Sequence, residues 1–216
     1  MSDEETFTRE DGELLIKFAR DNIENYLKHN KRIIVPDKIK EKFGEKYGAF
    51  VTLNKTGVSG NPLRGCIGHI EPKFPLYETV HKVSVSCATE DPRFPSVSPE
   101  EMEKIKMELS ILTPPELMEV DDPEEYLEQI DIGRDGLIVE RGMQRGLLLP
   151  QVPVDHDRNW DEKTFLEQTC RKAYLSKNAW KNKNTKVYKF SAILFEETEP
   201  NGKVVRKYIG RDKDQK

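Results

Sequence analysis

The segment 63–68, Leu-Arg-Gly-Cys-Ile-Gly, combines a thiol, a cation and two glycines within six residues. Successive side chains of a strand point to opposite faces, so Arg64, Cys66 and Gly68 would share one face. A neighbouring cation lowers the pKa of a thiol and raises its thiolate fraction. The spacing therefore predicts a strand that holds an anionic group at Arg64, close to a reactive sulfur at Cys66, with open space at Gly68.

The two glycines need a reason, because each weakens a strand by about 0.5–1 kcal/mol relative to alanine. Close approach of a ligand to Gly65 and Gly68 is one explanation, and close approach of another backbone is the other. Free cysteine also behaves in many proteins as a small buried hydrophobic residue. Cys66 is thus either a nucleophile or a packing residue, with Arg64 then paired to an acid elsewhere, and the sequence leaves both interpretations open.

Three further polar residues are candidates for ligand binding. Asp91 and Arg93 lie beside prolines in a predicted loop, where they either contact a ligand or form a structural salt bridge. Gln151 lies between Pro150 and Pro153 in a segment expected to be extended, and we predict that it faces the same cleft as Cys66.

The cysteine pattern argues against disulfides and against a metal site. The chain has three cysteines without paired spacing, which predicts free thiols, and Cys87 and Cys170 lie on the apolar sides of predicted helices. Cys66 and His69 are three residues apart, so in a strand they point to opposite faces and do not hold one ion. We predict no metal site and no cofactor.

Charge and hydropathy restrict the partners. The chain of 216 residues has 35 Lys and Arg against 39 Asp and Glu, a net charge of −4, which does not favour nucleic acid. An alternative is that Trp160 and Trp180, which lie near several lysines in the sequence, form a stacking surface for single-stranded RNA. Such tryptophans more often pack half-buried. No apolar run approaches the ~20 residues of a membrane span, and the acidic N-terminus is unlike a secretory signal. These features predict a cytoplasmic protein whose partner is a small anionic ligand or another protein.

Local patterns predict the elements that position these residues. Helices are expected after the N-cap Thr8, from Pro75 to Ala88 and after the N-cap Asp161, with short helices after Ser98 and at 123–129. Strands are expected at 48–54, 63–70, 105–111, 130–132, 137–140, 147–149 and 187–195. The first two are separated by a polar loop and should form a hairpin, and in 105–111 apolar residues alternate with polar ones, as in a half-buried strand. Strand pairs joined by tight turns favour an α+β fold with a mainly antiparallel sheet flanked by helices.

The sequence also resembles a known family in six blocks that occur in the family's order. The blocks are Gly48-Ala-Phe-Val-Thr-Leu, Leu63-Arg-Gly-Cys-Ile-Gly, Asp91-Pro-Arg-Phe-Pro, Leu109-Ser-Ile-Leu-Thr-Pro, Gly133-Arg-Asp-Gly-Leu and Leu147-Leu-Leu-Pro-Gln-Val-Pro. They are similar to the AMMECR family, named for the Alport syndrome, midface hypoplasia and elliptocytosis chromosomal region. The chain resembles its compact archaeal and bacterial form.

The resemblance implies a fold more than an activity. It implies one domain over 8–196, with a smaller subdomain within 115–150, a cleft between the two parts near the hexapeptide, and polar tails at 1–7 and 197–216. No biochemical activity is established for the family, so an enzyme and a regulatory factor in transcription, replication or translation both stay open. Family members occur fused to or encoded beside Memo-like and radical-SAM proteins, which implies a shared pathway. The flanks Ser59-Gly60-Asn61 and His69 are expected to adjust the pocket.

Overall fold

The computed structural model describes residues 7–59, 62–154 and 158–207. The chain divides into two compact units, of which the first contains residues up to Leu112 and Ile193–Lys207 and the second contains Thr113–Ala192. The helices are α1 (Arg9–His29), α2 (Asp37–Lys42), α3 (Leu76–Thr89), α4 (Glu125–Gln129) and α5 (Glu162–Lys172), and 3₁₀ segments cover Pro99–Lys104 and Ala179–Lys181. The strands are β1 (Gly48–Lys55), β2 (Leu63–His69), β3 (Ile105–Leu112), β4 (Glu116–Leu117), β5 (Asp135–Arg141), β6 (Gln144–Leu148), β7 (Lys186–Glu197) and β8 (Val204–Lys207).

The predicted α+β class with an antiparallel sheet is confirmed. In the first unit the strands lie in the order β2-β1-β3-β7, and β8 pairs with the end of β7. The predicted hairpin of β1 and β2 forms, and its register places Thr52 opposite Cys66 on one side and opposite Glu108 of β3 on the other. Three strands are thereby aligned across the segment that carries the thiol.

Helix α1 begins where its capping residues predict. Thr8 accepts a hydrogen bond from the backbone N–H of Asp11, and the Asp11 carboxylate accepts one from the backbone N–H of Thr8 at 2.9 Å. This reciprocal pair satisfies two N–H groups that a helix end leaves free. Apolar side chains at helical spacing, such as Leu15, Ala19 and Ile23, are fully buried in the core of the first unit.

The second unit has its own sheet and core. Strand β5 lies between β6 and β7, and β4 pairs with the first part of β7. Helix α5 packs on β5 and β6, and its apolar residues Phe165, Leu166 and Cys170 are completely buried. This unit extends beyond the predicted range 115–150, because α5 and the first part of β7 complete the same core.

Two predictions of local structure are wrong. Residues 130–132 form no strand, since a turn at 131–134 leads into β5 and Ile130 is buried beside it. The segment 197–216, expected as a polar tail, contains β8, because Val204 packs in the core of the first unit. Glu197 is also buried, where its carboxylate accepts hydrogen bonds from Arg20 and from the backbone N–H of Met107.

Gly65 marks the closest approach between β2 and α3. A Cβ atom at this position would lie 2.4 Å from the backbone carbonyl oxygen of Cys87, a distance that real Cβ atoms do not show. The glycine is therefore explained by the close approach of a backbone and not by that of a ligand; these were the two explanations left open.

No helix among residues 7–59, 62–154 and 158–207 has the length and apolar character needed to cross a bilayer.

Replacing Gly65 by alanine should lower the free energy of unfolding by about 1–3 kcal/mol, because β2 and α3 must move apart to admit the methyl group. Urea denaturation of the purified protein measures this change. Gly44→Ala is a matched control, since its added Cβ would come no closer than 3.1 Å to the carbonyl oxygen of Lys40. Equal losses in the two variants would contradict the steric explanation.

Candidate functional site

Cys66 lies in β2, the outer strand of the first unit's sheet, and side chains bind its outward peptide groups. The backbone N–H of Cys66 donates to Oδ2 of Asp91 at 2.9 Å, and its carbonyl oxygen accepts from Nη2 of Arg93 at 3.3 Å. A strand at a sheet edge otherwise leaves such groups without a protein partner. The two motifs around Cys66 and Asp91 thus form one local structure.

Asp91 and Arg93 also bind each other, as one of the two predicted alternatives requires. Arg93 donates from Nε to Oδ1 of Asp91 at 2.9 Å and from Nη2 to Oδ2 at 2.7 Å. These bonds, with that from Cys66, hold the pKa of the Asp91 carboxyl well below its usual range. The Asp91 side chain is 3% exposed and that of Arg93 is 51% exposed. The carboxylate of Asp91 is therefore bound by groups of the protein, whereas half of the Arg93 side chain still faces solvent.

Arg64 does not act as the cation beside the thiol, and that prediction is wrong. Its guanidinium donates from Nε and Nη2 to the carboxylate of Glu101, at 3.2 and 3.0 Å, and from Nη2 to the carbonyl oxygen of Ser96. Its side chain is 7% exposed, and a buried charge needs such partners. The hydrogen bond from Arg64, together with those from Lys55 and the backbone of Ser98, lowers the pKa of Glu101 to about 2. The alternative, an Arg64 paired to an acid elsewhere, is confirmed.

The thiol of Cys66 is partly exposed and is not activated by its surroundings. Thr52 donates a hydrogen bond from Oγ1 to Sγ at 3.3 Å. Burial raises the pKa of the thiol, and the Thr52 hydrogen bond and the charge of Arg93 offset only part of that rise. The predicted lowering of this pKa is therefore wrong. The cation whose charge acts on the pKa of the thiol is Arg93 and not Arg64.

Gly68 does not leave the space that was expected beside the sulfur. A Cβ atom there would lie 2.3 Å from the ring of Phe50 and 2.5 Å from the carbonyl oxygen of Ala49. Phe50 is directly opposite Gly68 in the register of β1 and β2, so the aromatic ring fills the position. Gly68 serves side-chain packing within the sheet.

Gln151 belongs to the second unit, in a turn at 150–154. Its Oε1 atom is buried and accepts no hydrogen bond from the described part of the chain. The predicted cleft shared by Gln151 and Cys66 stays a prediction. Of the residues that flank the hexapeptide 63–68, Gly60 and Asn61 lie outside the described residues.

Trp180 is 1% exposed, so the prediction of a stacking surface that includes this ring is wrong.

Two residues near the sulfur were not predicted from the sequence. Thr52 contacts Cys66 directly, and Glu108 follows Thr52 in the next strand. Burial raises the pKa of Glu108, while Lys207, 3.6 Å away, offsets part of the rise. The alternation of polar and apolar residues in β3 indicated that Glu108 faces away from the apolar side of the strand, but the strand order was needed to place it near Thr52.

In the described ranges no three His, Cys, Asp or Glu side chains are grouped to hold a metal ion.

Asp91→Asn should lower the free energy of unfolding at pH 7 by about 1–3 kcal/mol, because charged hydrogen bonds to Cys66 and Arg93 are weakened. The folded-state pKa of Asp91 lies below its unfolded value, so its contribution is complete above about pH 4 and is lost as the pH falls further. The difference between wild type and variant should therefore shrink at pH 3. Denaturation at both pH values measures it, with the exposed neighbour Glu90→Gln as control. A difference that does not change with pH would contradict the assignment.

The chain is similar to a known protein family. The family model described as AMMECR1 matches residues 16–195. Protein MJ0810 of Methanocaldococcus jannaschii is 50% identical over 202 residues, which cover 94% of this chain and 98% of that protein. Protein TK0174 of Thermococcus kodakarensis is 48% identical, with 91% of this chain and 95% of that protein covered.

A solved structure is also similar throughout its length. The crystal structure of protein PH0010 from Pyrococcus horikoshii has a TM-score of 0.80 and 50% sequence identity, and the match covers 92% of this chain and 97% of that chain. The names of these relatives state no activity. The similarity therefore supports the fold of this chain but does not identify a reaction. Because the family model covers most of the residues and the relatives match nearly end to end, the chain belongs to the AMMECR1 family.

Proposed function

We propose that this protein binds a small anionic ligand at the outer edge of β2, where Arg93 supplies the positive charge and the thiol of Cys66 lies beside it. The observation that carries the proposal is that the side chain of Arg93 is half exposed while its guanidinium is fixed by bonds to Asp91 and to the backbone of Cys66. A cation that the protein already holds in place loses little conformational entropy when it binds a ligand.

The hydrogen bonds of Arg93 leave one part of its guanidinium available. Nε and Nη2 bind Asp91 and the carbonyl oxygen of Cys66, whereas Nη1 donates to no atom of residues 7–59, 62–154 or 158–207. Guanidinium N–H groups form short, charge-assisted hydrogen bonds to carboxylate and phosphate oxygens. The ligand class is therefore a small carboxylate or phosphate that approaches Nη1 from solvent.

The thiol favours binding over covalent catalysis. Burial raises the pKa of Cys66, so the sulfur is protonated at neutral pH and is a weak nucleophile. An anion bound at Arg93 would disfavour the thiolate further, since like charges repel. Cys66 then contributes a polarizable, neutral contact to the ligand, and its chemistry as a nucleophile is confined to alkaline pH.

Alkylation by reagents of different charge tests the anion site. Iodoacetate should alkylate Cys66 faster, relative to neutral iodoacetamide, than it alkylates the uncharged reference N-acetylcysteine amide, by about fivefold, because an attraction of about 1 kcal/mol concentrates the anion beside Arg93. Inorganic phosphate should reduce this preference. Quenched reactions followed by peptide mass spectrometry give the rate at Cys66, since Cys87 and Cys170 are buried.

The variant Arg93→Met should abolish the preference for iodoacetate, and Arg93→Lys should retain most of it. Lys73→Met removes one exposed positive charge elsewhere in the same unit and serves as the control. Circular dichroism verifies that each variant is folded. A preference that survives Arg93→Met, or one that is absent from the wild type, would rule out Arg93 as the anion site.

The pH dependence of iodoacetamide alkylation should show that the thiol is not activated. The rate should rise with an inflection above about 8.5, the value of an unperturbed cysteine, because burial disfavours the thiolate. In Arg93→Met the inflection should move to still higher pH, since a stabilising positive charge is lost. An inflection at or below 8.5 in the wild type would contradict this assignment and would favour a nucleophilic Cys66.

A further inference from the structure

Tyr174 follows the C-terminal end of α5 with an unusual backbone conformation. Its φ angle is 58°, in the left-handed region, and the hydrogen bonds from Leu175 N to Cys170 O and from Tyr174 N to Arg171 O close the helix end. Glycine or asparagine normally occupies this position, because a larger side chain is strained there. The other non-glycine residues of positive φ in the described ranges are asparagines, so Tyr174 is the exception.

Packing does not explain the tyrosine. Tyr174 is 91% exposed, whereas the next residue, Leu175, is buried and provides the apolar contact that this type of helix end uses. Met143, at the turn between β5 and β6, is also completely exposed. Gln144 beside it donates from Nε2 to the carbonyl oxygen of Tyr174 at 2.9 Å, which joins the two segments. An exposed aromatic side chain is therefore carried by a backbone that is fixed in a conformation unfavourable for tyrosine.

The charges near this ring are positive. Residues 171–189 contain seven Lys or Arg and no Asp or Glu, while residues 113–131 of the same unit contain eight Asp or Glu and no Lys or Arg. Lys181 is paired with Glu124 of the acidic segment. Within three residues of Tyr174 in the sequence, Arg171, Lys172 and Lys177 are exposed, and Lys177 approaches Glu167 only at 3.9 Å. The chain at the end of α5 thus carries three exposed cations and one exposed aromatic residue.

We propose that Tyr174, Arg171, Lys172 and Lys177 form a binding surface for single-stranded nucleic acid, in which a base stacks on the tyrosine ring and the cations contact phosphates. Aromatic rings among basic side chains are the recurring components of such surfaces, and stacking tolerates any base. An acidic peptide would be attracted by charge alone and would not require a strained, exposed ring. The surface belongs to the second unit, whereas Arg93 belongs to the first.

Fluorescence anisotropy of a fluorescein-labelled 12-nucleotide oligouridine, titrated with the full chain at 50 mM NaCl, tests the proposal. Because the chain has a net charge of −4, we expect weak binding, with a Kd of about 1–100 μM that rises steeply with salt. Absence of saturable binding up to about 500 μM protein at this salt concentration would overturn the proposal.

Variants of Tyr174 separate binding from stability. Tyr174→Gly should weaken oligouridine binding by about 5- to 150-fold, the effect of one lost base stack. The same change should raise the melting temperature by about 2–4 °C, because glycine relieves the backbone strain. Tyr174→Phe should retain the affinity. An affinity that is unchanged in Tyr174→Gly would overturn the stacking role.

The contribution of charge has its own control. Lys172→Gln should reduce the slope of log K against log salt by about 0.7, as expected for one phosphate contact to a single strand. Lys31→Gln, an exposed lysine of the first unit, should leave the slope unchanged. If polyglutamate displaces the oligouridine as readily as unlabelled oligouridine does, or if vesicles with anionic lipids bind while the RNA does not, the surface recognises charge alone and the proposal is wrong.

Discussion

The hydrogen bonds between the Asp91–Arg93 pair and the peptide groups of Cys66 are the constraint on which the candidate site depends. They bind the loop after α3 to the outer strand of the sheet. They also fix the guanidinium of Arg93 against the backbone of Cys66. Two sequence blocks that are 25 residues apart are therefore joined directly by hydrogen bonds.

The two arginines near Cys66 have different environments, and this difference determines the chemistry of the region. Arg64 is buried and neutralised by Glu101, so it stabilises the first unit but offers no charge to a ligand. Arg93 is bound on one side and exposed on the other. Because its partner Asp91 is also charged, the field at the sulfur is modest, and burial dominates the pKa of the thiol. The site is better suited to holding an anion than to attacking an electrophile.

Features that depend on neighbouring residues were predictable from the sequence, and features that depend on distant ones were not. The N-cap at Thr8, the hairpin of β1 and β2, the capping box at Ser98 and the alternation in β3 rest on local chemistry, and the structure has them all. The pairing of Arg64 with Glu101 and the packing of Phe50 over Gly68 depend on which strands and loops become neighbours. An apolar run such as 130–132 is compatible with a buried turn as well as with a strand, so periodicity alone misplaced it.

The occupied edge of β2 has a consequence for the behaviour of the protein in solution. An outer strand with free peptide groups is a template onto which a strand of a second molecule can add, and this is a common start of aggregation. At Cys66 both outward groups already have partners, and the charged pair that supplies them would have to be displaced before another chain could hydrogen-bond there. The Asp91–Arg93 pair, on which the proposed anion site depends, thereby also hinders the addition of a strand from a second molecule at Cys66.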